Sequence, residues 1–425
     1  MTGDEAMSAE STGVLPFVIA QHVENAECLR AGRTRLTCAP HVKFKELATF
    51  DERLFAQIDA LSIAGDAGWP HCEAALASAS AGTVFTVTVR AIEDRQPARL
   101  ARMLALSEAV PAVRCGLTSG FGWVDQSSLQ GIVWELLRDQ QPFRRLVGLT
   151  ACAMHRVDCG LAGGLWCHDD DPEVRARALR SSGEIGIKLP DLSDGLKDDD
   201  ENCRFWAAWS SVLVGDFVTA LRILTEIGSA SGPHTERAFR LALQAMKRSD
   251  GHDFVRGLAG DTSNARRVIQ GSGIIGDPAY LPWLIREMSK PATARLAAQS
   301  FSLITGVDLA GSELKADRPE NLESGPTDNP QDADVATDAD DGLPWPNPEK
   351  VEKWWAANEG GFQKGTRYFI GAPVTREHCL HVLKTGYQLQ RILAAQYLCL
   401  LEPGTPLFNT SAPAWRQQRL LANMT

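Results

Sequence analysis

Cys152, His155, Cys159, Cys167 and His168 bring five thiol and imidazole groups into a short stretch of this 425-residue chain. Thiolate and imidazole are the ligands Zn²⁺ prefers, so the set reads first as a metal centre. The run C-A-M-H-R-V-D-C, however, puts Cys152, His155 and Cys159 on one face of a helix, where a buried cysteine behaves as a small apolar residue. No C-x-x-C pair anchors the group in the way zinc sites do. Packing is therefore the expected role. His378, Cys379 and His381 repeat the arrangement more weakly and take the same reading.

G-S-G-I-I-G at 271–276 matches the dinucleotide fingerprint letter for letter. That fingerprint works only when a strand precedes it and a helix begins within it. Here the arginine-bearing amphipathic run N-A-R-R-V-I-Q precedes it, so the final glycine reads as a helix stop. The carboxylate pairs Asp169–Asp171 and Asp198–Asp200 could serve acid–base chemistry, but they stand where helices start and where the helix dipole favours them. No G-x-S-x-G, H-E-x-x-H, Walker or kinase pattern is present. The expectation is no catalytic residue, no bound cofactor and no metal.

The elements that carry these residues have their own regularity. Arg114, Arg144, Arg175, Arg204, Arg237, Arg266 and Arg295 follow one another at intervals of 30, 31, 29, 33, 29 and 29 residues. A period near 30 is that of a chain built by stacking one small helical unit on the next. Aligned on Arg175 and Arg204, Val174 matches Cys203, Ala178 matches Ala207 and Gly186 matches Gly215. Asp171 is the expected N-cap of its helix, with Pro172 at the first helical position, where a missing N–H costs nothing. Gly186 supplies the left-handed turn that ends it. Gly276, Asp277 and Pro278 repeat this stop and start, and 291–306 ends on glycine again. A unit of two short helices cannot bury its apolar stripe alone, so neighbours must stack. The arginines are expected to bond acidic residues or carbonyls of the next unit. The run 83–93 has strand-like composition, rich in Thr and Val, yet its neighbours argue for a helix.

Composition sets the outer limits. The chain is 44% hydrophobic and 23% charged, ordinary for a soluble domain. No apolar run approaches the roughly 18 residues of a membrane span, and the N-terminus lacks the features of a secretory signal. The net charge of -10 is concentrated, with ten acidic residues against Lys315 and Arg318 between Gly311 and Pro348. The remainder is near neutral and offers no strong field for nucleic acid or anionic lipid. Ten cysteines without an export signal read as reduced, buried thiols of a cytoplasmic protein. The expected organisation is a disordered start (1–13), a repeat array (14–310), an acidic disordered linker (311–342) and a helical C-terminal module (343–425). That module holds Trp345, Trp354, Trp355 and Trp415 of the chain's eleven tryptophans. Large aromatics and arginine dominate binding hot spots, so these four with Arg367, Tyr368 and Arg416 are the candidate partner-binding residues. Docking of the module on the last repeat would use the same side chains.

The units with D-P-x-V-R at 171–175 and G-D-P-A at 276–279 resemble HEAT repeats of the short, lyase-associated kind. Together with F-D-E-R-L-F-A-Q-I-D-A-L at 50–61, G-L-P-W-P-N-P-E-K-V-E-K-W-W at 342–355, R-Y-F-I-G-A-P-V-T-R-E-H-C-L-H-V-L at 367–383 and P-L-F-N-T-S-A-P-A-W-R-Q-Q-R-L-L at 406–421, they resemble one bacterial HEAT-repeat family over essentially the whole chain. Members of that family are often encoded beside type VI secretion genes. The resemblance implies an accessory, adaptor or chaperone-like role and carries over no catalytic residue. The reading is an all-α, HEAT-like α-solenoid with a small helical C-terminal module. It would act as a scaffold whose groove or tail binds another protein, an effector or a PAAR-like spike component. A lyase-type enzyme with a groove active site and an immunity-like protein that neutralises a toxin are the alternatives.

Overall fold

The computed structural model describes residues 15–190, 192–319, 331 and 338–424. The N-terminal stretch expected to be disordered, and the middle of the acidic linker, lie outside the described residues. Among the described residues the chain is all-α and solenoid-like, short helices following one another in sequence. The one sheet is a two-stranded hairpin in which Tyr368–Phe369 pairs antiparallel with Ala372–Pro373. No described helix is long and apolar enough to cross a membrane.

Two compact units emerge, and neither follows the expected boundaries. One comprises 1–37, 45–155 and 411–419; the other comprises 38–44, 156–410 and 420–425. In the first unit the Thr- and Val-rich run forms the helix Ala81–Glu93, as its context predicted, buried from Gly82 through Ile92. A helix enclosed on all sides has no polar face, which is why its sequence looked like a strand's. Two of its hydroxyls find partners: Thr86 Oγ1 donates to the Gly82 carbonyl at 3.0 Å and Thr83 Oγ1 to Glu27 at 2.9 Å. The tail residues 411–419 are fastened here by a buried pair. Arg33 grips Asp51 at 2.6 and 3.0 Å and donates to the Ser411 and Ala412 carbonyls, while Asp51 accepts the Ala414 N–H at 2.8 Å.

The second unit has an inner row of helices, Pro172–Ile185, Glu201–Leu213, Thr235–Ala245, Ala265–Ile275 and Ala294–Thr305, each packed on the next. Small residues bring them close at a repeated register. A Cβ on Gly183 would lie 2.6 Å from Ser210 Oγ, and one on Gly273 would lie 2.9 Å from Ser300 Cα. Caps follow the sequence signals: Asp171 accepts the Glu173 and Val174 N–H groups, Asp200 that of Cys203, and Gly186, Gly276 and Gly306 end their helices in the left-handed region.

Helix C-termini leave carbonyls without intrahelical partners. In the second unit the C-terminal region supplies several of the missing donors. Tyr368 N–H donates to the Gly276 carbonyl and Ile370 N–H to that of Leu303, both at 2.7 Å. Leu407 N–H reaches the Glu184 carbonyl at 3.1 Å. Residues 343–410 are therefore part of the repeat unit and not a separate module. The flanks of the acidic segment are ordered as well. Ala316 N–H donates to the Trp345 carbonyl at 2.8 Å and Asn347 N–H to that of Leu314 at 2.7 Å.

Candidate binding groove

The periodic arginines fall at or near the start of successive helices, and they divide by what they hold. Arg175 and Arg204 fold back on the loop before their own helix, donating to the carbonyls of Asp169 and Asp170 and of Asp198 and Asp199 at 2.7–3.1 Å. Arg114 does the same toward Ser107 and Glu108, and Arg144 pairs with Asp139 at 2.9 Å. Most of these bonds stay within one unit, where sequence reasoning placed them between units. The exception is Arg175, which also takes both oxygens of Asp198 in the next unit at 2.9 and 3.0 Å.

The last two arginines of the row hold the acidic segment. Arg266 donates to both carboxylate oxygens of Asp340 at 2.5 and 3.0 Å and to the Ala292 carbonyl at 3.2 Å. Arg295 holds Asp338 at 2.6 and 2.7 Å and the Asp340 carbonyl at 3.0 Å, with its guanidinium 4.6 Å from the centre of the Trp345 ring. Asp338 and Asp340 thus lie on adjacent arginines of the repeat, two residues apart. These aspartates belong to the end of the segment expected to be a disordered linker; charge-assisted bonds to two guanidinium groups hold that end in place.

Beside this clasp the inner helices open into a cavity of about 350 Å³. Phe239, Ile274, Leu303, Arg240, Arg266 and Ala339 are among the residues that line it. Farther along the same row, Trp206 carries the Arg180 guanidinium 4.4 Å and the Arg237 guanidinium 5.1 Å from its ring centre. His234 stacks on Phe205 at 4.0 Å. Glu184 accepts from Arg180 at 2.8 Å and from Arg177. Burial would raise the Glu184 carboxyl, but the charges of Arg177, Arg180 and Arg156 outweigh it and hold the group far below its ordinary range. Arg237 is lowered to about 10 by burial and by the neighbouring Arg180 and Arg240. Yet its side chain is exposed to solvent. Among the described residues Arg237 forms no ion pair.

A second polar cluster involves Asp277. Its side chain caps the following turn through the Ala279 N–H at 2.9 Å and also accepts from Arg248 and from His252 Nε2 at 3.0 Å, while His252 Nδ1 lies 2.7 Å from the Tyr280 hydroxyl. Burial pushes Tyr280 up to about 12, so it stays a neutral phenol and is no nucleophile at neutral pH. The cluster ties one helical unit to the next. Sequence reasoning found Asp277 as a cap and missed His252, which has no local signature.

The other expected sites sort by burial. Tyr368 and Arg416 are buried: the Tyr368 hydroxyl accepts the Gln363 N–H, and Arg416 donates to the Gly122 and Val124 carbonyls at 2.9 and 2.8 Å. Arg367 donates to the Gln244 and Met246 carbonyls. Tyr368 and Arg416 thus make their contacts inside the fold, and Arg367 is half-buried. Trp354 meets Phe301 edge-on at 5.8 Å, Trp355 lies 5.4 Å from Phe362, and Trp415 is faced by Arg416 and Arg419. All four tail tryptophans are half-buried. Gly271 and Gly273 lie inside the helix Ala265–Ile275, so the glycine run is a packing surface without the strand a nucleotide site needs. His155 Nε2 donates to the Phe121 carbonyl at 2.8 Å. Among the described residues no three His, Cys, Asp or Glu side chains come together as metal ligands. Five cysteines are buried, but Cys28, Cys38 and Cys115 are exposed, correcting the expectation of uniformly buried thiols.

Compared with known proteins, the chain matches no family model, no curated protein and no solved structure. Its function has to be argued from its own geometry.

Proposed function

We propose that this protein is a non-enzymatic scaffold or adaptor that binds another protein through the inner-row groove of its 38–44/156–410/420–425 unit. The observation that carries the reading is the clasp of Asp338 and Asp340 on Arg295 and Arg266. It is a polypeptide segment already seated on this surface, with its charges matched. Preformed helices oppose binding with little ordering cost, which suits stoichiometric recognition. The resemblance to HEAT repeats and to proteins encoded beside type VI secretion genes names the first partners to test, an effector and a PAAR-like spike component. An immunity-like protein facing a basic toxin would call for an acidic groove, and the arginines favour a cargo of the opposite sign.

The test is co-expression of the full chain with each candidate, followed by size-exclusion chromatography with light scattering. A stoichiometric complex supports the reading. Failure with every candidate, together with turnover of a small molecule by the purified chain, would replace it with the lyase-type alternative.

A further inference from the structure

Arg266 and Arg295 each hold a carboxylate of the chain's own Asp338-Ala339-Asp340 stretch, whereas Arg237, the preceding member of the same periodic series, has no carboxylate among the described residues. Positive charge gathers around it: Arg177 and Arg180 both bond Glu184, while Arg180 and Arg240 act on Arg237 as neighbouring cations. Arg180 and Arg237 are both stacked on Trp206. A guanidinium stacked on a ring keeps its N–H edge free in the plane, the geometry for bidentate capture of a carboxylate. On the same helix as Arg237, Phe239 and Arg240 line the cavity of about 350 Å³, together with Arg266, Ile274 and Leu303. Ala339, the residue between the two clasped aspartates, also lines that cavity.

Resting on the scaffold reading, we infer that the groove from Arg180 through Arg237 to Arg240 is a binding site for an extended acidic segment of a partner protein. The segment places a carboxylate on Arg237 and an apolar side chain in the adjoining cavity. The intramolecular clasp is the template: the same arginine series already accepts aspartates alternating with a small apolar residue. Carboxylates are favoured over a nucleic-acid backbone because the neighbouring arginines of the series, Arg266 and Arg295, already hold the carboxylates of Asp340 and Asp338.

The experiment titrates the full chain with a short fluorescent peptide repeating aspartate, leucine and aspartate, read by anisotropy at low salt. Its asparagine counterpart, a duplex oligonucleotide and inorganic phosphate are titrated in parallel. The acidic peptide should bind and the asparagine peptide should not. Arg237→Gln should weaken binding about tenfold or more, the loss expected for a charge-assisted bidentate contact. Arg237 is exposed, so that variant should keep the wild-type melting temperature. Equal binding of the asparagine peptide, tighter binding of the oligonucleotide or phosphate, or unchanged affinity in Arg237→Gln would each overturn the site. A stoichiometric protein complex that survives Arg237→Gln would sink this groove while leaving the scaffold reading in place. Absence of any protein complex would sink the scaffold reading instead.

Discussion

Gly276 and Tyr368 meet backbone to backbone: the Tyr368 N–H donates to the Gly276 carbonyl at 2.7 Å, and a Cβ on Gly276 would lie 2.1 Å from the Tyr368 carbonyl oxygen. The glycine that ends one inner helix in the left-handed region is thus also the place where a chain segment some ninety residues later lies against it. Gly186 stands in the same relation to Gly404, with a would-be Cβ 2.3 Å from its carbonyl oxygen. A local stop signal and a long-range docking point share one residue.

Gly276→Ala should be among the most destabilising single-methyl additions. The left-handed conformation alone costs an L-residue about 1–2 kcal/mol. Displacing Tyr368 adds a packing penalty of about 1–3 kcal/mol. Gly160→Ala is the control, since Gly160 is also left-handed, with φ 90° and ψ 20°, and has nothing within 4 Å of the added carbon. Urea unfolding of both variants checks the difference; equal losses would mean the tail does not press on the helix end.

The clasp of the acidic segment is tested by a double-mutant cycle on Arg266→Gln and Asp340→Asn. Arg266 is partly exposed while Asp340 is buried, so the charge-assisted pair should show a coupling of about 1–2 kcal/mol. Additive losses would show that the two side chains stabilise the fold independently.

Glu184→Gln leaves Arg177 and Arg180 facing each other without a counter-charge. Breaking a buried pair from one side costs about 3–5 kcal/mol, and the lower end applies because Arg180 is partly exposed. Replacing Arg177 by Met in the same chain should recover part of the loss. Thermal unfolding at low and high salt measures both, and no recovery would argue against charge imbalance as the cause.

Acid should weaken the protein through His155. Burial and the nearby Arg416 lower its pKa from 6.5 to about 4, despite the bond to the Phe121 carbonyl. The unfolded chain therefore takes up the proton first. Stability is intact above pH 6.5 and is lost as pH falls from 6.5 toward 4. In His155→Gln this part of the pH profile should flatten, as measured by melting temperature across that window. A parallel slope in both proteins would assign the acid sensitivity elsewhere.

Local chemistry was legible in the sequence wherever a residue acts on its own neighbours. Asp171 caps the helix that starts at Pro172, Gly276 stops the one ending at Ile275, and the Ala81–Glu93 helix follows from its context despite a strand's composition. These signals act within a few residues, and the 30-residue period in turn specifies an all-α stack because each unit must bury its stripe on the next. Which charge an arginine holds was not legible. Arg266 finds Asp340 across 74 positions and Arg295 finds Asp338 across 43, while Arg175 and Arg204, identical in the repeat, bond loops five or six residues away. The tertiary structure decided that the acidic segment docks, that Tyr368 and Arg416 are buried, and that Arg237 remains open. Each of those outcomes depends on where distant backbone comes to rest, and the free energy of a paired or unpaired charge is set by that surrounding and not by the residue's own position in the chain.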